Sequence, residues 1–158
     1  MMSANRGKSF EERLKEDWER TVPGSSIDRI YDTVNGLRGV SNVCDFICFR
    51  KPNIFFLEVK SHKGNTFPFV NLPQYEKLSK KIGIDGVRAG VVIWFYEHDR
   101  VIYVPASTIR KMKADGLKSV NIKTIGADGY RYVEIPSEKM RVYMKSDYSV
   151  LLSLNEGE

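Results

Sequence analysis

The first apolar residues to fall into register are Phe10, Leu14 and Trp18, whose i, i+4, i+8 spacing is one stripe of an amphipathic helix. Ser9 followed by Glu12 matches a capping box, so the pattern predicts a first helix over 9–21. Pro23-Gly24-Ser25-Ser26 ends it, residues 27–33 read as a short strand, and Gly36 and Gly39 mark a loop expected to be mobile. Two β-rich runs follow over 43–49 and 54–59, and the polar Arg50-Lys51-Pro52-Asn53 between them signals an antiparallel hairpin. Large apolar residues fall on both faces of these runs, the pattern of central strands covered on both sides.

Residues 73–82 have helical character with Pro in the first turn, closed by Gly83 to Gly86. Runs over 89–96 and 101–104 predict a second hairpin around Glu97-His98-Asp99, followed by a helix over 107–114. Beyond Gly116 the pattern loosens: 120–125 and 130–135 suit strands, and 139–154 suits either helix or strand. Helices and strands interleave, which is the α/β class. No repeat, low-complexity tract or linker divides the chain, so 1–158 is expected to be a single domain with a few flexible residues at each end.

Composition agrees with a globular core: 42% of the 158 residues are hydrophobic and 28% are charged. The net charge of +5 favours phosphate-bearing partners. Cys44 and Cys48 fall on one face of a strand, too far apart to bridge, and read as buried thiols. His62 and His98 lack ligand spacing, so structural zinc is not expected. No apolar run approaches the ~18 residues of a membrane span, and no signal-peptide stretch follows Met1. A cytoplasmic protein without membrane contact is expected.

Charges inside central strands need a reason, and three stand out: Asp45, Glu58 and Lys60. If the hairpin turns near residues 51 and 52, Asp45 falls opposite Glu58 or one pair away. Glu58 and Lys60 leave the same face of their strand. Hydrolysis of a phosphodiester needs a metal that orients water and neutralises charge, and Mg2+ takes oxygen ligands, typically one or two carboxylates. Lys60 would hold the attacking water and offset charge in the transition state. A structural ion-pair cluster within the sheet is the other reading of these three residues. Arg6, Lys51, Lys63, Lys77, Lys80, Lys81 and Arg88 surround the trio in sequence and are candidate phosphate contacts. Tyr130, Tyr132, Tyr143 and Tyr148 have the spacing of core or interface residues and are given no DNA role.

The chain order, Glu11 on a first helix, Asp45 on a strand, Glu58-Val59-Lys60 on the next and Gln74 on a following helix, resembles the PD-(D/E)XK nuclease superfamily. Asn5-Arg6-Gly7 with Glu11 four residues on, and Phe67-Pro68 followed by Asn71, resemble RecU-type Holliday junction resolvases of bacteria and their phages. The resemblance covers residues 5–80. Cys44 stands where the superfamily often has Pro, and the stretch from Asn71 to Gln74 is short for the RecU group, which suits a diverged, phage-encoded member as well as a typical bacterial one.

That resemblance implies a restriction-endonuclease-like mixed sheet flanked by helices, in a homodimer that binds branched DNA and cuts four-way junctions by paired symmetric nicks. It implies Mg2+, with Mn2+ as a substitute. Asp45, Glu58 and the Val59 carbonyl would hold the metal, and Glu11 would join through a water. Lys60 would act on the attacking water and Gln74 would orient a ligand or phosphate. Arg6, Lys51, Lys63, Lys77 and Lys81 are the expected DNA contacts. Two alternatives share the fold: a repair or restriction-like endonuclease acting on other DNA structures, and a non-catalytic DNA-binding module.

Overall fold

The computed structural model describes residues 3–31 and 42–154. Helix α1 spans Ser3–Thr21, starting well before the expected Ser9. Ser9 and Glu12 therefore lie within the helix and form no capping box at its start. The earlier turn is anchored by Arg6, one turn before Phe10 on the same helix face, whose guanidinium sits 3.9 Å from the centroid of the Tyr96 ring. Gly7 brings this turn close to the sheet, where an added Cβ would lie 3.5 Å from Ser61 Oγ.

Strand β1 is Ser26–Arg29, shorter than expected; Ile30 and Tyr31 are irregular, and the rest of that stretch with the Gly36 and Gly39 loop lies outside the described residues. The predicted hairpin is present as β2 (Phe46–Arg50) and β3 (Asn53–His62), paired antiparallel around a cis Lys51-Pro52 bond. After β3 the chain runs through β4 (Thr66–Pro68), a 3-10 turn at Phe69–Asn71 and α2 (Tyr75–Ser79). The α2 helix is shorter than the expected 73–82 because the bonds from Lys81 to Leu78 and from Ile82 to Ser79 are i to i−3, the tighter 3-10 pattern. The second hairpin is β5 (Val87–Phe95) and β6 (Arg100–Pro105), and α3 (Ala106–Ala114) follows directly.

The ambiguous C-terminal third resolves into short pieces: β7 (Ser119–Asn121), β8 (Val133–Ile135), β9 (Ser137–Lys139), β10 (Met144–Ser146) and a 3-10 segment, Tyr148–Ser153. The stretch over 139–154 is thus strand followed by 3-10 helix. Tyr148 is fully buried beneath Trp18, with ring centroids 6.4 Å apart, and this contact fixes its place. The expected strand over 120–125 shrinks to β7 because Ile122 and Ile125 turn into the core.

One six-stranded sheet, ordered β1-β2-β3-β5-β6-β8, organises the rest. Every pair in it is antiparallel except β3–β5, which is parallel and closed by the crossover through β4 and α2. The architecture is the expected α/β mixed sheet with helices on both faces. On one face Phe10, Leu14 and Trp18 of α1 cover Phe46, Phe55, Leu57 and Val59. On the other, Phe69, Leu72, Ile109 and Met112 cover Val91, Ile93, Ile102 and Val104. Leu78 of α2 packs with Cys44, Ile47, Phe56 and Ala89. Cys44 and Cys48 are buried free thiols, as expected. Among the described residues no helix is long and apolar enough to cross a membrane.

Only hydrogen fits at Gly90, where an added Cβ would lie 2.5 Å from the Val104 carbonyl oxygen and 2.7 Å from the Tyr103 ring. Both neighbours are buried and one is backbone. Gly90→Ala is therefore expected to destabilise the fold by about 2–3 kcal/mol, seen as a lower urea midpoint at unchanged slope.

Candidate active site

The last regular pair between β2 and β3 is Phe46 with Leu57, and one further step would set Asp45 opposite Glu58. At that step the strands part. The Asp45 N–H still donates to the Leu57 carbonyl at 3.1 Å, but the next donor on β3, Val59 N–H, is taken by Asp45 Oδ2 at 2.8 Å. The side chain replaces a rung of the ladder, and its carboxylate is held in the fork beside Glu58. The Asp45 carbonyl accepts from Ile30 N at 2.7 Å, which ties the fork to the end of β1.

Glu58 is only 2% exposed. Lys60 Nζ lies 3.3 Å from Glu58 Oε2, on the same face of β3, as the two-residue spacing predicted. Val59 points to the opposite face, into the core under α1. The expected trio of Asp45, Glu58 and Lys60 is thus brought together.

Glu11 reaches the trio through Arg29, a residue the sequence reading missed. Arg29 Nη2 donates to Glu11 Oε2 at 3.0 Å, and Nη1 lies 3.3 Å from Asp45 Oδ1 and donates to the Asp45 carbonyl at 3.1 Å. Arg29 is in register with buried Phe46 and shares its face with buried Ile27. An arginine alternating with a core isoleucine at a strand end was the available signal. Lys8, Glu12, Lys15 and Tyr31 line a groove beside the Glu11–Arg29 pair.

Burial, then the neighbouring Asp45, raises the Glu58 carboxyl well above the usual carboxylate range, against the opposing pull of Lys60. The Glu11 carboxyl is also raised, chiefly by burial and then by Asp45, with Arg29 opposing. Burial, with Glu58 and Asp45 adding to it, pushes the Cys44 thiol up to about 12; its Sγ donates to the Phe46 carbonyl at 3.2 Å. Cys44 is therefore a packed thiol rather than a nucleophile.

The Asp45 carboxylate adds to burial in raising the Glu58 carboxyl, so the two repel each other when both are charged. A divalent cation offsets the same repulsion, and two carboxylates are the usual protein share of a Mg2+ shell completed by water and phosphate. The donor set fits that ion. Among the described residues no three His, Cys, Asp or Glu side chains are arranged to hold an ion by themselves, so the remaining ligands would be backbone, solvent or substrate oxygens.

Gln74 stands at the start of α2, and its Oε1 is buried without a hydrogen-bond partner. Of the expected DNA contacts, Arg6 stacks on Tyr96, Lys63 is exposed in the loop directly after β3, and Lys81 lies 4.7 Å from the Phe56 ring centroid, on the Glu58 face. Lys77 is half-buried on α2. Lys51 is not gathered with them: it sits at the hairpin turn, and the five steps along β3 from Asn53 to Glu58 alone cover roughly 17 Å. His62 and His98 bond to Thr66 and Asn65, away from the carboxylates.

No protein-family model matches this chain, and no curated protein matches it. Among solved structures it is similar to Hjc of Archaeoglobus fulgidus, a Holliday junction resolvase from an archaeal hyperthermophile, with a TM-score of 0.49 and 20% identity over 65% of this chain and 78% of that one.

Two outcomes follow from the electrostatics. A carboxyl whose pKa is higher folded than unfolded contributes stability that is fully present below the unfolded value of about 4.3 and lost as pH rises through the folded value. In EDTA, the melting temperature should fall from pH 5 toward pH 8, and Glu58→Gln should flatten that slope; an unaltered slope would show that Glu58 is not its source. Arg29→Met leaves Glu11 and Asp45 facing each other uncompensated and is expected to cost about 1–3 kcal/mol in urea unfolding.

Proposed function

We propose that this protein is a metal-dependent DNA endonuclease that acts on four-way junctions as a homodimer, one active site per subunit. The observation that carries the reading is the meeting of Asp45 and Glu58 at the β2–β3 fork with Lys60 against them. The resemblance of that motif order to RecU-type resolvases supplies the substrate class.

In this reading Asp45 and Glu58 hold a Mg2+ ion, or Mn2+ in its place, which when bound polarises a phosphate oxygen and lowers the pKa of water. Lys60 orients the attacking water and places positive charge beside the pentavalent phosphorus. Arg29 is a positioning residue, since it fixes Asp45 from both its carboxylate and its carbonyl and carries Glu11 to the site. Gln74, with its amide oxygen unpartnered, has an acceptor to offer a ligand that donates, such as a water.

The test is nicking of an immobile four-way junction beside a duplex of the same sequence, with Mg2+ or EDTA. Symmetric cuts confined to the junction are expected, abolished by EDTA. Asp45→Asn keeps an oxygen to accept the Val59 N–H and should leave the fold intact while activity disappears. Lys60→Ala should lower the rate by about 10²–10³-fold. Equal cutting of both substrates would discard the junction assignment. A folded protein that binds DNA and never nicks would discard the nuclease.

A further inference from the structure

Past the carboxylates, the end of β3 is gripped by a neighbouring turn. β3 finishes at His62, β4 begins at Thr66, and the loop between them carries Lys63 at an exposed position. The turn from β5 to β6, residues 96–99, lies beside this loop because His62 is in register with Phe95. The Gly64 N–H donates to Glu97 Oε1 at 2.7 Å. His98 Nε2 bonds to Asn65 Oδ1. The Tyr96 N–H donates to the His62 carbonyl at 3.3 Å, and the Tyr96 ring carries the Arg6 guanidinium. Three successive residues of the turn thus each bind the end of β3 or its loop.

Main-chain bonds already fasten the far side of the loop: the Ile122 N–H donates to the Asn65 carbonyl at 2.9 Å, and β4 pairs with β7. The bonds from Glu97 and His98 come in addition. Glu97 is exposed, and a hydrogen bond that water competes for adds little to stability, so what this one supplies is a fixed position. The loop's outer side is open, since an added Cβ at Gly64 would meet nothing within 4 Å. Among the described residues the Lys63 ammonium has no ion-pair partner. An unpaired cation is therefore presented from a tethered backbone.

Lys63 comes three residues after Lys60, a backbone reach of at most ~11 Å. Phosphates of one DNA strand follow one another every ~3.4 Å of helix axis, so those flanking a phosphate at Lys60 fall within that reach. We infer that Glu97 and His98 are positioning residues, which hold the Lys63 loop so that its ammonium meets a DNA phosphate beside the one that is cut. The benefit is preorganisation, because a loop already ordered loses less freedom when DNA binds. This rests on the nuclease reading above and adds to it a substrate contact set by a turn that carries no catalytic group.

Charge alone gives Glu97 the opposite effect: a carboxylate near DNA repels phosphate, so removing one that has no positioning role tightens binding. Binding to a four-way junction is measured in EDTA across a range of salt, and exchange of the Gly64 amide is followed by NMR. Lys63→Ala should weaken binding about tenfold and lower the log–log salt slope by about 1, the contribution of one phosphate contact. Glu97→Ala should weaken it about fivefold and speed Gly64 exchange, while unfolding near the wild-type urea midpoint. Glu97→Gln keeps an oxygen for the Gly64 N–H and should bind no more weakly than the wild type. His98→Ala, which releases Asn65, should follow Glu97→Ala. Lys63→Ala combined with Glu97→Ala should bind as Lys63→Ala does alone, the non-additivity of groups that act as one. Tighter binding by Glu97→Ala, equal loss in Glu97→Ala and Glu97→Gln, or additive losses in the double variant each overturn the inference, and nicking by the wild type would then leave the nuclease reading standing. The expected pattern in a protein that never nicks upholds the positioning role and sinks the nuclease.

Discussion

The Val59 N–H must have an acceptor, and Asp45 is placed to supply it. Where β2 ends and β3 continues, the next donor on β3 would be buried and orphaned, at a cost comparable to a lost hydrogen bond. Asp45 Oδ2 fills that position at 2.8 Å. In doing so it sets a carboxylate beside a second carboxylate that is itself almost wholly buried. The closeness of two like charges is therefore enforced by the backbone, and the surrounding cations answer it: Arg29 from the α1 side and Lys60 from the α2 side.

That division by side gives the site its character. Glu11 and Arg29 belong to the face covered by Phe10, Leu14 and Trp18, whereas Glu58 and Lys60 belong to the face beneath α2. The two groups meet only because β2 stops short and the sheet opens at its margin. Deeper in the sheet they would be separated by a continuous layer of backbone. A shared site of this kind is sensitive to the position of α1, and α1 is fixed by a buried stripe together with the Asp17 carboxylate, which accepts from Ser146 N at 2.9 Å on β10.

Much of this was legible in the sequence because it rests on local periodicity. The two hairpins, α3 and the pairing of Asp45 with Glu58 follow from strand spacing and one turn. The start of α1 was misread because Ser9 and Glu12 imitate a cap, while the anchor that continues the helix, Arg6 on Tyr96, joins residues 90 positions apart (96 minus 6). Arg29 escaped notice for the same reason: its partners Glu11 and Asp45 are distant in the chain and meet only after folding. The length of α2 and the β9–β10 hairpin depend on tight turns and on contacts with α1, which carry little periodic signal.

The parallel pairing of β3 with β5 bears on when the carboxylates become a site. Each pair in that ladder joins residues 33 positions apart, from Ile54 with Val87 to His62 with Phe95. A growing chain that has emerged only through β3 already carries Glu11, Arg29, Asp45, Glu58 and Lys60, yet one edge of the strand bearing two of them is bare. Closing it requires the whole crossover and β5, a non-local step that is slow relative to hairpin formation. The arrangement of carboxylates and cations thus arrives with the completed sheet rather than with the residues that compose it. A partly synthesised chain holds all five side chains without the frame that gathers them.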